Sequence, residues 1–262
     1  MIKANIVAHA DAASPDALRS FARAVLAQTR AELILTARRG ESVLITIIVP
    51  AVLLVFFAAL RLVPAGFGKP IDYLLPGMIG LAIMSTGMVS LGIATAYERH
   101  YGILKRLGSS PLPRGGLLLA KALAVLVVEV AQIVLLLALA IGLYGWTPRG
   151  NVWLTLLAVV LGSVCFAGLG MVMAGTLRAE ATLAGANALY LIFLMLGGSV
   201  LPIDHLPGFL QDLARILPAF PLTDLLRGAM TGSGTLPLSS FIWLVAWAVI
   251  FLGTAARAFR WE

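Results

Sequence analysis

Charge is what this chain of 262 residues has least of: 12% of its residues are Asp, Glu, Lys or Arg, where soluble domains carry roughly a quarter. With 60% hydrophobic residues and a mean hydropathy of +0.99, that shortage excludes a soluble core and leaves a multi-span membrane protein. The apolar runs are continuous rather than alternating, which argues against a transmembrane β-barrel. Cysteine is nearly absent. Cys165 is the single one and sits in an apolar run, so no disulfide can form within the chain and no Cys/His metal cluster can assemble. The three histidines, His9, His100 and His205, are far apart in sequence and none falls inside a span. Catalytic signatures are missing as well: no G-x-x-x-x-G-K-[ST] loop, no G-x-S-x-G and no H-E-x-x-H occurs, so nucleotide binding of the usual kind is excluded. Asp204-His205 is adjacent, but reads as a solvated turn.

What the chain does have is apolar runs long enough to cross a bilayer, which takes about 20 residues. The expected spans are residues 42–62, with Pro50 inside, then 73–97, 117–143, 152–177, 181–201 and 239–256. Lys and Arg in the flanks orient them. Lys3, Arg19, Arg23, Arg30, Arg38, Arg39, Arg99, Lys105, Arg106, Arg114, Lys121, Arg178, Arg257 and Arg260 fall on one side. Arg61, Lys69, Arg149, Arg215 and Arg227 fall on the other. The richer side is expected to face the cytoplasm and to hold both termini. The net charge of +7 is therefore topology plus attraction to anionic lipid, not a nucleic-acid surface.

Residues 1–14 are short, polar and Ala-rich, and are expected to be disordered. They are not a secretory signal, since acids, bases and a Ser-Pro start occupy the first forty positions. Ser14-Pro15-Asp16 reads as an N-cap with Pro at the first helical position. Over 15–40, Leu18, Phe21, Ala22, Val25, Leu26 and Leu33 recur at helical spacing beside Arg19, Arg23 and Arg30. This predicts an amphipathic helix at the membrane surface, its arginines snorkelling to lipid phosphates. The remainder, 41–262, reads as one membrane domain. Before the last span, five prolines from Pro202 to Pro237 break the chain. Phe209, Leu210, Leu213, Ile216 and Leu217 make one short apolar face, and Leu222, Leu225, Leu226, Ala229 and Met230 a second. Two short re-entrant or interfacial helices fit that pattern, with a turn at Gly232-Ser233-Gly234.

Glu129 is the one acid deep inside a span, and Gln132 follows three residues later on the same side of the helix. A carboxyl at that depth usually faces a bundle interior or a cavity. It can line a translocation path or serve a proton-coupled carrier; equally, it can be a protonated Glu bonded to a neighbouring helix. Lys121, two turns earlier, is expected to snorkel. Small residues crowd spans two and four (Gly77, Gly80, Gly87 and Gly92; Gly162, Ser163, Gly168 and Gly170), a pattern that allows close helix contact within the chain or between subunits. The most pointed segment is 98–111. Ile103, Leu104 and Leu107 form an apolar ridge, Arg99, Lys105 and Arg106 surround it, and Gly108 supplies a stop. A span that delivers a short basic helix of this kind suits a transport domain docking on a soluble motor.

At these residues the sequence resembles a family. Pro76-Gly77, the stretch from Glu98-Arg99 through Gly102-Ile103-Leu104-Lys105-Arg106-Leu107 to Ser110-Pro111-Leu112, and Lys121 are similar to the membrane subunit of ABC-2-type exporters. So is the late stretch from Leu201-Pro202 through Pro221-Leu222 to Leu225-Leu226-Arg227. The resemblance covers essentially the whole chain. It implies an all-α, six-span half-transporter of the drug, lipid or polysaccharide export class, nearest the drug-resistance branch. It further implies a second permease chain, identical or related, and two separate ATP-binding subunits that hold ATP and Mg; no cofactor is implied in this chain. Glu98, Arg99, Ile103, Leu104, Lys105, Arg106 and Leu107 would form the coupling helix, with the surface helix as a second contact. Glu129 and Gln132, read as lining the substrate path, have no role assigned by the resemblance. The alternative is a proton-coupled secondary carrier using Glu129; a membrane-embedded enzyme lacks the clustered His, Asp or Ser it would need.

Overall fold

Long apolar runs admit one backbone solution in lipid, the helix, because each N–H and C=O must be satisfied within its own segment. A computed structural model describes residues 15–38, 40–60, 69–107, 113–231 and 236–258, and all regular structure among them is helical. The chain runs α1 (Pro15–Arg38), α2 (Gly40–Leu60), α3 (Pro70–His100), α4 (Ile103–Leu107), α5 (Arg114–Tyr144), α6 (Val152–Thr176), α7 (Ala179–Leu196), α8 (Gly208–Ile216), α9 (Ala219–Met230) and α10 (Leu238–Ala258). Residues 1–14, including the expected Ser14 cap, lie outside the described residues, as do Arg39, the Gly108 stop and the turn at 232–234.

Five of these helices are long and apolar enough to span a membrane: α3, α5, α6, α7 and α10. The first expected span is the 21-residue α2, with Pro50 inside it. Its apolar stretch Thr46–Leu60 is shorter than those five. At α3 the run outgrows its expected 25 residues. The helix continues from Pro70 to His100, 31 residues, about 46 Å at 1.5 Å per residue. A π-helical turn over Ser85–Ser90 interrupts it midway, the kind of irregularity that tends to mark functional sites.

The core is built around α3 and α6. Gly87 and Gly92 of α3 both face Gly170 of α6: a Cβ on Gly170 would lie 2.6 Å from the Gly87 carbonyl oxygen, and one on Gly92 3.1 Å from the Gly170 Cα. The small residues of spans two and four thus serve contact inside the chain. On its other side α6 packs along α10, where Gly168 meets Phe251.

The two Pro-broken helices differ in fate. The apolar residues of α9 are buried against α3 and α6, with Leu222, Leu225 and Leu226 sealed inside. Gly77 and Gly80 give α9 and the preceding turn room: a Cβ on Gly77 would sit 2.2 Å from the Ser199 carbonyl oxygen. That turn uses Gly198 at φ +65, a conformation open to glycine at little cost. Arg227 and Tyr73 close on it, both donating to the Gly198 carbonyl at 2.9 and 2.7 Å, with the guanidinium 3.9 Å from the Tyr73 ring centre. By contrast α8 leaves Phe209, Leu213 and Ile216 exposed, as an interfacial helix should.

Candidate functional site

The end of the bundle that carries α1 and α4 brings together Glu98 and Lys121, charged residues of two apolar spans. Helix α3 stops at His100, and Gly102 at φ +68 turns the chain into α4. Glu98 and Arg99 therefore belong to the last turn of the span and α4 is a separate five-residue helix, not one continuous segment from 98 to 107.

Glu98 is buried and its Oε2 accepts from Lys121 Nζ at 2.6 Å. The same ammonium donates to Glu32 of α1, 3.1 Å away, and Gln28 Nε2 donates to Glu32 Oε1 at 3.0 Å. Lys121 is itself buried; it does not snorkel, because two carboxylates from other helices reach it first. Three helices, α1, α3 and α5, thus meet on one lysine. This explains which face of α1 packs: Val25, Thr29 and Glu32 turn inward against α5, with Thr29 Oγ1 donating to the Ala120 carbonyl at 3.4 Å, while Phe21 and Leu26 remain outside. Arg99 points the other way. Its guanidinium donates to the carbonyls of Gly175, at 2.6 Å, and Leu177, capping the end of α6 where it turns into α7. Such a cap answers carbonyls that the helix end leaves unpaired.

On α4 the side chains divide. Leu104 is 1% exposed and anchors the short helix to the bundle, whereas Ile103 is 41% and Tyr101 65% exposed, and Lys105 also faces outward. Tyr101 stacks on Tyr97 with ring centres 6.1 Å apart. The side chains of Arg106 and Leu107 lie outside the described set.

Above this charged floor a cavity of about 380 Å³ opens between α1, α2, α3, α5 and α7. Glu32 and Lys121 stand at one end, Thr46, Thr86 and Ser90 line it, and Val89, Ile93 and Val125 supply apolar wall. Mostly apolar lining with a few polar groups is the usual make-up of a small-molecule site. The π turn of α3 contributes to its wall. Gln132 of α5 braces that wall from behind. Its Oε1 accepts from Thr86 Oγ1 at 2.8 Å and its Nε2 donates to the Thr46 carbonyl at 2.9 Å.

A family model described as ABC-2 type transporter matches residues 23–231. The chain belongs to that family. It is 24% identical over 191 residues to the "Probable multidrug ABC transporter permease YbhR" of Escherichia coli K12, covering 71% of this chain and 51% of that protein. To the same organism's YbhS, similarly described, it is 23% identical over 186 residues, 69% of this chain and 49% of the relative. With the "Putative transport permease YvfS" of Bacillus subtilis strain 168 it shares 26% identity over 239 residues, 86% and 92% of the two chains. The chain spans about half the length of the two Escherichia coli relatives. Family and apolar helices together make this chain a multi-pass transmembrane subunit of an ABC transporter.

Within this permease the two residues read as a substrate path, Glu129 and Gln132, part company. They sit three positions apart on α5 yet contact different neighbours, and neither lines the cavity. Glu129 is fully buried and accepts a hydrogen bond from Ser163 Oγ of α6. The residues that do form the cavity, Glu32, Thr46, Thr86 and Ser90 among them, were invisible as a group in the sequence. The lining comes from five helices, and no spacing pattern links its residues.

Proposed function

We propose that this chain is the membrane half of an ATP-driven exporter, and that α4 receives the thrust of a separate ATP-binding subunit bound with ATP and Mg. One observation supports this most: the short helix is tied into the bundle by everything around it. Leu104 roots it, Glu98 joins the end of α3 to α1 and α5 through Lys121, and Arg99 joins it to the α6–α7 corner. A push on Tyr101, Ile103 and Lys105 would therefore move α3 with four neighbouring helices rather than bend a loop. On this reading the basic end faces the cytoplasm of a prokaryotic cell, the protein lies in its inner membrane, and two permease chains pair across the path. The cargo is an amphipathic drug, lipid or glycan, and the multidrug names of the two Escherichia coli relatives favour the first of these. Glu129 and Gln132 act as bracing behind the path. The carrier alternative would need a chain of ionisable groups across the membrane, and Glu129 contacts a serine rather than a second such group.

The test is co-purification in mild detergent with a candidate ATP-binding subunit. Ile103→Asp combined with Tyr101→Ala changes the exposed head and spares the root at Leu104. The complex is expected to form with the wild type and to be lost in the variant, which still inserts and elutes normally. Binding that ignores both changes would remove α4 as the docking element.

A further inference from the structure

The three charges at the cavity floor do not balance. Glu32, Glu98 and Lys121 are all buried, and one ammonium serves two carboxylates. Among the described residues the group therefore carries a net single negative charge. Among the described residues Glu32 and Lys121 are the ionisable ones of the cavity lining, and the remainder is hydroxyl, amide and aliphatic. Lys121 is held between its two carboxylates and Glu32 opens onto the cavity, so a visitor meets a field that is negative at one end and neutral elsewhere. In a low-dielectric setting an uncompensated charge attracts its opposite far more strongly than in water.

From this we infer that the cavity selects monovalent amphipathic cations. The ligand's positive group lies beside Glu32, its apolar body lies against Val89, Ile93 and Val125, and any hydroxyl it carries is met by Thr86 or Ser90. This deepens the exporter reading and rests on it, in that the bound cation is the cargo. Anions of the same shape are excluded by the same charge. At about 380 Å³, the space falls at the lower end of the range, roughly 300–1,000 Å³, that holds drug-sized ligands.

Tetraphenylphosphonium and tetraphenylborate differ in charge and hardly in shape, which makes them the pair of probes. Equilibrium binding of radiolabelled tetraphenylphosphonium is measured on the full chain in lipid nanodiscs, with empty discs as background. Saturable binding above background is expected, and tetraphenylborate should not displace it. Glu32→Gln keeps the shape and one acceptor oxygen, for Lys121 or Gln28, but neutralises the site, so affinity should fall on the order of tenfold or more. Glu32→Asp should retain binding, and Ala124→Phe, which fills the cavity from α5, should abolish it. Unchanged affinity in Glu32→Gln, or equal displacement by the borate anion, overturns the inference. The exporter reading fails separately: if the cation binds as stated but no ATP-binding subunit makes its transport depend on ATP, the site stands and the motor assignment falls. If an ATP-dependent complex forms whose permease binds no cation, the reverse holds.

Discussion

Replacing Lys121 by methionine should damage this protein more than removing either of its acidic partners. The ammonium lies 2.6 Å from Glu98 Oε2 and 3.1 Å from Glu32, all three side chains buried. Taking the lysine away leaves two carboxylates close together with no cation between them. Breaking a buried pair in this way costs about 3–5 kcal/mol, and the mutual repulsion of the two acids raises the expectation to the upper end of that range. Glu98→Gln or Glu32→Gln does the opposite. Each removes the surplus negative charge, keeps an amide oxygen for the lysine, and leaves one neutral ion pair, so each should cost about 1 kcal/mol or less. The assay is reversible unfolding in mixed micelles of increasing SDS fraction, with midpoints and slopes compared across the three variants and Lys121→Met/Glu98→Gln/Glu32→Gln. The triple variant should recover most of what Lys121→Met loses. Equal losses from lysine and acid removal, or no recovery in the triple variant, would refute the view that a net charge is held on one lysine.

Other consequences are simpler to check. Gly77→Ala pushes a methyl group to 2.2 Å from the Ser199 carbonyl oxygen and should lower the thermal midpoint sharply, while Gly142→Ala, with open space around it, should be neutral or raise stability by up to about 1 kcal/mol. Gln132→Leu strips hydrogen bonds from Thr86 Oγ1 and the Thr46 carbonyl; a cost of about 1–3 kcal/mol is expected, with faster hydrogen exchange around Ser85–Ser90 as its local signature. Glu129→Gln keeps an acceptor for Ser163 and should leave ATP-driven transport within about twofold of wild type, judged from initial rates in vesicles; a proton-coupled carrier would lose its dependence on the pH gradient.

Apolar run length and the basic flanks carry most of the architecture, because both are properties of contiguous residues. Runs near 117–143, 152–177 and 239–256 became α5, α6 and α10 with ends shifted by a few positions. Proline spacing likewise marked α8 and α9, although burial of α9 followed from glycines on another helix. The misreadings concern partners distant in sequence. Lys121 reads as a snorkelling lysine until Glu32, 89 residues away, arrives on the surface helix. Glu98 and Arg99 share a basic amphipathic stretch with α4, yet they turn inward to α5 and α6. One clue was legible there: Gly102 inside a supposed helix marks a break. Nothing in Ser85–Ser90 announces a π turn, and its neighbours, α6 and Gln132, lie far away in sequence.

Everything proposed turns on whether work done on α4 by an ATP-binding subunit moves a cation through the bundle. The direct measurement is tetraphenylphosphonium accumulation in inverted membrane vesicles that contain this chain and its candidate ATP-binding subunit, with ATP, with ATP plus vanadate, and with a proton gradient alone. Accumulation that requires both chains and ATP, stops with vanadate, and is lost with Ile103→Asp and Tyr101→Ala is the predicted result. Accumulation driven by the proton gradient without the second chain, and abolished by Glu129→Gln, would contradict it.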